Sequence, residues 1–187
     1  VAAEVKVGDG VFRVPGWNAD APYLVVPSKP GATPLIYSSE EAMSYLDPSS
    51  LTPSEQGLLV LSTRAWNFHR SFAVPVQRKL LDPVSRGMNL IVLAQDYASG
   101  RYSLSWVPKP LSVQACQERV FDPAGALGLS KIESDGIMLQ RFLPGPGWEV
   151  LGNGGVATLK WGEGRIYLIN ARLLERMHVR ACAEALD

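Results

Sequence analysis

Residues able to do chemistry gather just after two apolar runs. Leu58-Leu59-Val60-Leu61 leads into Ser62, Thr63 and Arg64, with Trp66 and His69 close behind. Asn89-Leu90-Ile91-Val92-Leu93-Ala94 leads into Gln95 and Asp96. Continuous apolar runs of this length read as strands buried on both faces, as in parallel sheets. Open α/β sheets bind ligands beyond the carboxyl ends of their strands. Ser62, Thr63, Arg64, Trp66, His69, Gln95 and Asp96 are therefore the candidate ligand-binding residues. The hydroxyls and the amide could hydrogen-bond a small polar molecule, and the Trp66 indole could stack on a sugar face. His69 could serve as a base if it lay within hydrogen-bond reach of a hydroxyl or carboxylate. The same residue types also cap helices and loops, and tryptophan is commonly a core or interface residue.

No motif announces a reaction. Ser130, in Gly128-Leu129-Ser130-Lys131-Ile132, lacks the second glycine of a nucleophile elbow. No Gly-x-x-x-x-Gly-Lys occurs, and Gly145-Pro146-Gly147 has no third glycine at dinucleotide-binding spacing. His69 and His178 have no acidic neighbour in sequence, and Cys116 and Cys182 are too far apart to suggest a zinc cluster or a disulfide framework. The expectation is no catalytic residue, no metal and no cofactor.

The elements that must hold the candidate residues can be read along the chain. With 187 residues, 47% hydrophobic and 19% charged, the sequence can build a core. Lys plus Arg equals Asp plus Glu, at 18 each, which argues against a nucleic-acid or polybasic membrane binder. No stretch is apolar for long enough to span a bilayer. Gly8-Asp9-Gly10 between valine-rich runs predicts a hairpin, and Tyr23–Val26 a short strand. Residues 1–34 then form an arm or linker, and 35–187 the main domain. Leu35–Tyr37 is a further short strand. Ser38-Ser39-Glu40-Glu41 is a capping box opening a helix to Leu46, and Thr52-Pro53-Ser54-Glu55 opens a single turn closed by Gly57. A helix over Phe72–Leu81, stopped by Pro83, joins the two apolar strands into a βαβ unit. Tyr102, Leu104 and Trp106 alternate as in a strand, residues 111–135 read as a short helix and loops, and Gly136–Leu143 reads as a strand. Val156–Trp161 and Arg165–Asn170 form a hairpin around Gly162-Glu163-Gly164. The spacing of Leu173, Leu174, Met177 and Ala181 predicts a final helix over Ala171–Leu186.

Leu58–Thr63, Asn89–Asp96, Phe121-Asp122-Pro123 and Gly155–Leu186, with Gly-Glu-Gly-Arg-Ile-Tyr at 162–167, resemble the class I glutamine amidotransferase-like superfamily. Within it they resemble the divergent domains appended to glycoside hydrolases, including the trimerisation-type domains of β-galactosidases. The resemblance covers about residues 35–187 of the sequence. It implies an α/β fold: a three-layer sandwich, flavodoxin-like, with a mostly parallel sheet, helices on both faces and a C-terminal hairpin plus helix. Catalytic members carry a cysteine on the turn after a central strand, and a later His-x-Glu. Here Gln95 or Asp96 stands at that turn, and neither histidine is followed by the pattern.

The resemblance thus implies a non-catalytic accessory or interaction domain of a larger carbohydrate-active protein, partnered by sibling domains or other subunits. The chain begins at Val1, which agrees with an origin in something longer. Two alternatives stay open: a small-molecule or sugar-binding module at the carboxyl edge, with carbohydrate as partner, or a divergent hydrolase using Ser62, His69, Gln95 and Asp96. Compartment is open, secretion or a periplasmic location within a longer chain being one option.

Overall fold

The computed structural model describes residues 51, 53, 57–61, 79–95 and 104–172, together with the backbone of strands at 3–7, 10–14, 23–28, 35–37 and 178–183. Strand dominates. β1 (Ala3–Val7) and β2 (Gly10–Val14) form the expected antiparallel hairpin. A mixed six-stranded sheet holds β4 (Leu35–Tyr37), β5 (Leu58–Leu61), β6 (Asn89–Val92), β11 (Gly164–Ile169), β10 (Val156–Trp161) and β9 (Glu149–Leu151), in that spatial order. β4, β5, β6 and β11 run parallel, and β10 and β9 extend the sheet antiparallel. The long strands β7 (Ser112–Phe121) and β8 (Ile132–Leu143) pair as a separate antiparallel ribbon. β3 (Tyr23–Ser28) pairs in parallel with β12 (His178–Ala183).

This architecture corrects the three-layer, flavodoxin-like α/β expectation. Only one α-helix, α1 (Leu81–Ser85), is present among the described elements, and the sheet is mixed. The sheet is buried on both faces, as its apolar strands require, but two different kinds of element cover it. On one face Leu59, Leu90, Val92, Leu159, Ile166 and Leu168 meet Leu80, Val84 and Met88 from and around α1, together with Trp106, Trp148 and, from the end of the ribbon, Phe142 of β8. On the other, Leu58, Val60, Ile91, Val156 and Ile169 meet Phe121, Ile137 and Met138 of the ribbon. A β-ribbon stands where a helical layer was expected.

Particular segments explain the difference. The expected C-terminal helix is a strand over His178–Ala183, because β3 offers a partner in parallel register and tertiary pairing overrides a helical apolar period. Cys182 and His178 accordingly lie in β12. Of the helix expected over 72–81 only residues 79–81 are described: Leu80 is a turn residue and Leu81 opens α1. α1 includes Pro83 instead of stopping before it. In a first turn the missing proline N–H has no intrahelical partner to lose. Residues 111–135, expected as helix and loops, contain β7, whose polar, charged sequence fits an exposed ribbon and hides a strand. Leu104–Trp106 is a 3-10 turn, not a strand, with Val107 N–H donating to Leu104 O at 3.1 Å. The helix expected over 38–46 falls outside the described residues. Gly57 closes its turn as expected, at φ +63° with its N–H on Pro53 O at 3.1 Å.

The loop from β7 to β8 holds two non-glycine residues in the left-handed region, Ala124 at φ 53° and Leu127 at φ 55°. Ala124 is exposed, so its side chain contributes little packing against this strain. Ala124→Gly is expected to raise unfolding free energy by about 0.5–1 kcal/mol, measurable by urea denaturation. A loss of stability would contradict the left-handed backbone there.

Candidate functional site

The carboxyl ends of β6 and β11 lie side by side, with Leu168 paired to Val92 in parallel register. Beyond them come Leu93-Ala94-Gln95 and Asn170-Ala171. Gln95 is 2% exposed, and its Nε2 donates to Leu93 O at 2.6 Å, folding the side chain back on its own strand. Its main-chain oxygen accepts a hydrogen bond from Gln140 Nε2, although Gln140 is distant in sequence. β8 therefore lies across this end of the sheet. Two further contacts fix it there: Met138 bridges Ala171, and Arg172 N–H donates to Ile137 O at 2.7 Å. The edge that an open α/β sheet leaves to ligands is here crossed by the ribbon.

Asn170 sits at the same edge. Its N–H donates to Gly155 O at 2.8 Å, so its backbone is held on one side by the start of β10. Its neighbour Ala171 is held on the other side by β8. Asn170 is 2% exposed, and neither end of its side-chain amide has a hydrogen-bond partner.

Of the candidate residues, only Gln95 is described. Ser62, Thr63, Arg64, Trp66, His69 and Asp96 lie outside the described residues. Asn170 was missed, although the signal that picks out Gln95 also picks it out: a polar residue directly after an apolar strand. Gln140 carried no such signal, since only the crossing of β8 brings it to Gln95. Among the described tryptophans, Trp106 and Trp148 are buried and Trp161 is half-buried. The Trp148 indole donates to Lys109 O at 3.1 Å. No group of three or more His, Cys, Asp or Glu among the described residues could hold a metal.

Comparison with family models, with curated proteins and with solved structures finds no match for this chain. The site must be read from its own chemistry. No helix among the described residues is long and apolar enough to cross a membrane.

Cys116 lies on β7, away from this edge in sequence and half-buried, with its thiol directed at Met138 O at 3.8 Å. Burial raises its pKa, and the nearby Glu118 carboxylate raises it further, while Arg141 opposes the shift. A raised pKa leaves less thiolate at neutral pH, and the thiolate is the nucleophile. Iodoacetamide should therefore modify Cys116 more slowly at pH 7–8 than an unhindered cysteine in a short peptide, the gap closing as pH rises above the thiol pKa. Peptide mapping of the alkylated chain checks this, and equal rates across that range would refute it.

Proposed function

We propose that this chain is a non-catalytic accessory or interaction domain of a larger carbohydrate-active protein. The observation that carries the reading is Gln95. By the resemblance, Gln95 or Asp96 stands at the strand end where the catalytic members of the superfamily hold an exposed cysteine. Gln95 is an amide, 2% exposed, tied back to Leu93 O and bonded through its carbonyl to Gln140. A carboxamide is not a nucleophile at neutral pH, and a covalent intermediate needs an activated one. The crossing of β8 over the same edge favours a packed scaffold over an open catalytic bend.

Two measurements test the reading. Chromogenic ester, amide and glycoside substrates should be turned over no faster by the chain than by its Gln95→Ala variant. Turnover that vanishes with Gln95 would sink the proposal in favour of a hydrolase. In the full-length gene product, deleting this chain should leave kcat per active site unchanged while altering assembly mass in sedimentation. A full-length product without a carbohydrate-active domain would also sink it.

A further inference from the structure

Among the described residues, the only buried side-chain nitrogen and oxygen atoms without a hydrogen-bond partner are the two ends of the Asn170 amide. An unmet buried donor or acceptor costs about 1–3 kcal/mol, and native structures leave few of them. The backbone here is not slack: Gly155 O takes the Asn170 N–H, and Ala171 and Arg172 are tied to β8. Asn170 therefore holds a fixed donor and acceptor, both idle, at the carboxyl end of a parallel strand. Ligands of open sheets bind at such ends, and because β8 crosses this one, a ligand here would be enclosed between the sheet and the ribbon.

The surroundings define what could use them. The described segments that converge on this point are 93–95, 137–140, 154–156 and 169–172; their one charged residue, Arg172, is exposed, so none places a buried Asp, Glu, Lys or Arg there. A charged ligand would lose its hydration there without a buried countercharge from these segments, which is costly. A neutral one would not. We infer that Asn170 anchors a binding position for a small neutral molecule presenting a hydrogen-bond donor beside an acceptor. Vicinal hydroxyls of a sugar or polyol have this chemistry, and so does a simple carboxamide. The inference goes beyond the proposed function, since a non-catalytic domain need not bind a small ligand, and its test reads binding and not turnover.

The test is a titration of the isotope-labelled chain with D-glucose, D-galactose and acetamide in separate arms, following the Asn170 side-chain NH2 resonances. The expected result is a saturable shift of that pair in the sugar arms or in the acetamide arm, which also distinguishes the two sources. Asn170→Ala should weaken the same binding by about tenfold or more, from the loss of two hydrogen bonds. The inference is overturned if no arm moves the Asn170 pair. It is also overturned if binding is unchanged in Asn170→Ala, or if the pair contacts only long-lived water that no probe displaces. Should Asn170→Ala fail to fold, the wild-type titration decides by itself.

Discussion

Phe121→Ala is expected to lower unfolding free energy by about 3–5 kcal/mol, the range for truncating a fully buried aromatic. For a chain of this size that corresponds to a fall in Tm of roughly 10 °C. Phe121 is 0% exposed at the end of β7, in one cluster with Leu58, Val60, Ile91, Val156 and Ile169 of the sheet. The sheet makes room for its ring at Gly155. A Cβ built there would fall 2.5 Å from Phe121 Cδ2, closer than such atoms approach. Filling the resulting void would need this face of the sheet to collapse, and Gly155 has no side chain to contribute.

The same substitution tests whether a ribbon truly replaces a helical layer. Phe121 is followed by a clamp: Asn153 Oδ1 accepts Asp122 N–H at 3.1 Å, and Asn153 Nδ2 donates to Val120 O at 2.8 Å. These bonds hold the ribbon's end while the ring holds its face. In Phe121→Ala, amide hydrogen exchange should accelerate in β7 and β8 before it does in β6 and β11. Val113→Ala, at a half-buried position on the same strand, should cost only about 1 kcal/mol. A Phe121→Ala loss below that of Val113→Ala would mean that the ribbon is not seated on the sheet.

Sheet and ribbon differ in how far the sequence revealed them, and burial explains why. β5, β6, β10 and β11 lie where both faces are covered, so buried apolar residues dominate them: the run is unbroken in β5 and over Leu90–Val92 of β6, and is interrupted in β10 by Thr158 and Lys160 and in β11 by Arg165. Burial there is total at Leu58, Leu90 and Leu168, and such runs are legible without partners. β7 alternates between exposed and half-buried positions along Ser112–Val120, and its Gln, Glu and Arg side chains match a surface helix as well as a strand. Only pairing with β8 decides the matter, and pairing is non-local. β12 shows the same effect more sharply, since its helical spacing yields to a ladder with β3, far away in sequence. The candidate site divides along the same line. Gln95 and Asn170 end apolar strands and are therefore readable from local pattern. Gln140 reaches the site by the path of β8, which no local pattern encodes.

Gly164→Ala should be severely damaging to the sheet, costing about 3 kcal/mol or more, from a single methyl group forced into backbone. The sequence suggests that both glycines of Gly162-Glu163-Gly164 serve the turn. The structure adds close approach to the turn requirement. Gly162 has φ +61°, a conformation glycine adopts freely, and a Cβ on it would also strike the Ser85 backbone. Gly164 is needed for close approach, because a Cβ on it would collide with the carbonyl oxygens of Met88 and Val84. Those oxygens belong to the end of α1 and the bend after it. Glu163 N–H donates to Ser85 O at 3.0 Å, meeting a carbonyl that the helix end leaves unpaired. The hairpin turn thus caps the helix, and its glycines let the two backbones touch. Val84 O cannot swing aside as a side chain would, since it accepts from Gly87 N–H at 2.9 Å. Relief requires α1 to move off the hairpin, taking Val84 and Met88, both 0% exposed, out of the core. Urea denaturation of Gly164→Ala beside Glu163→Ala separates the two effects. The first should lose most of the stability, and the second, an exposed side chain whose N–H is retained, about 0.5 kcal/mol or less. Equal losses would show that the turn sequence, and not the approach of α1, sets the requirement for glycine.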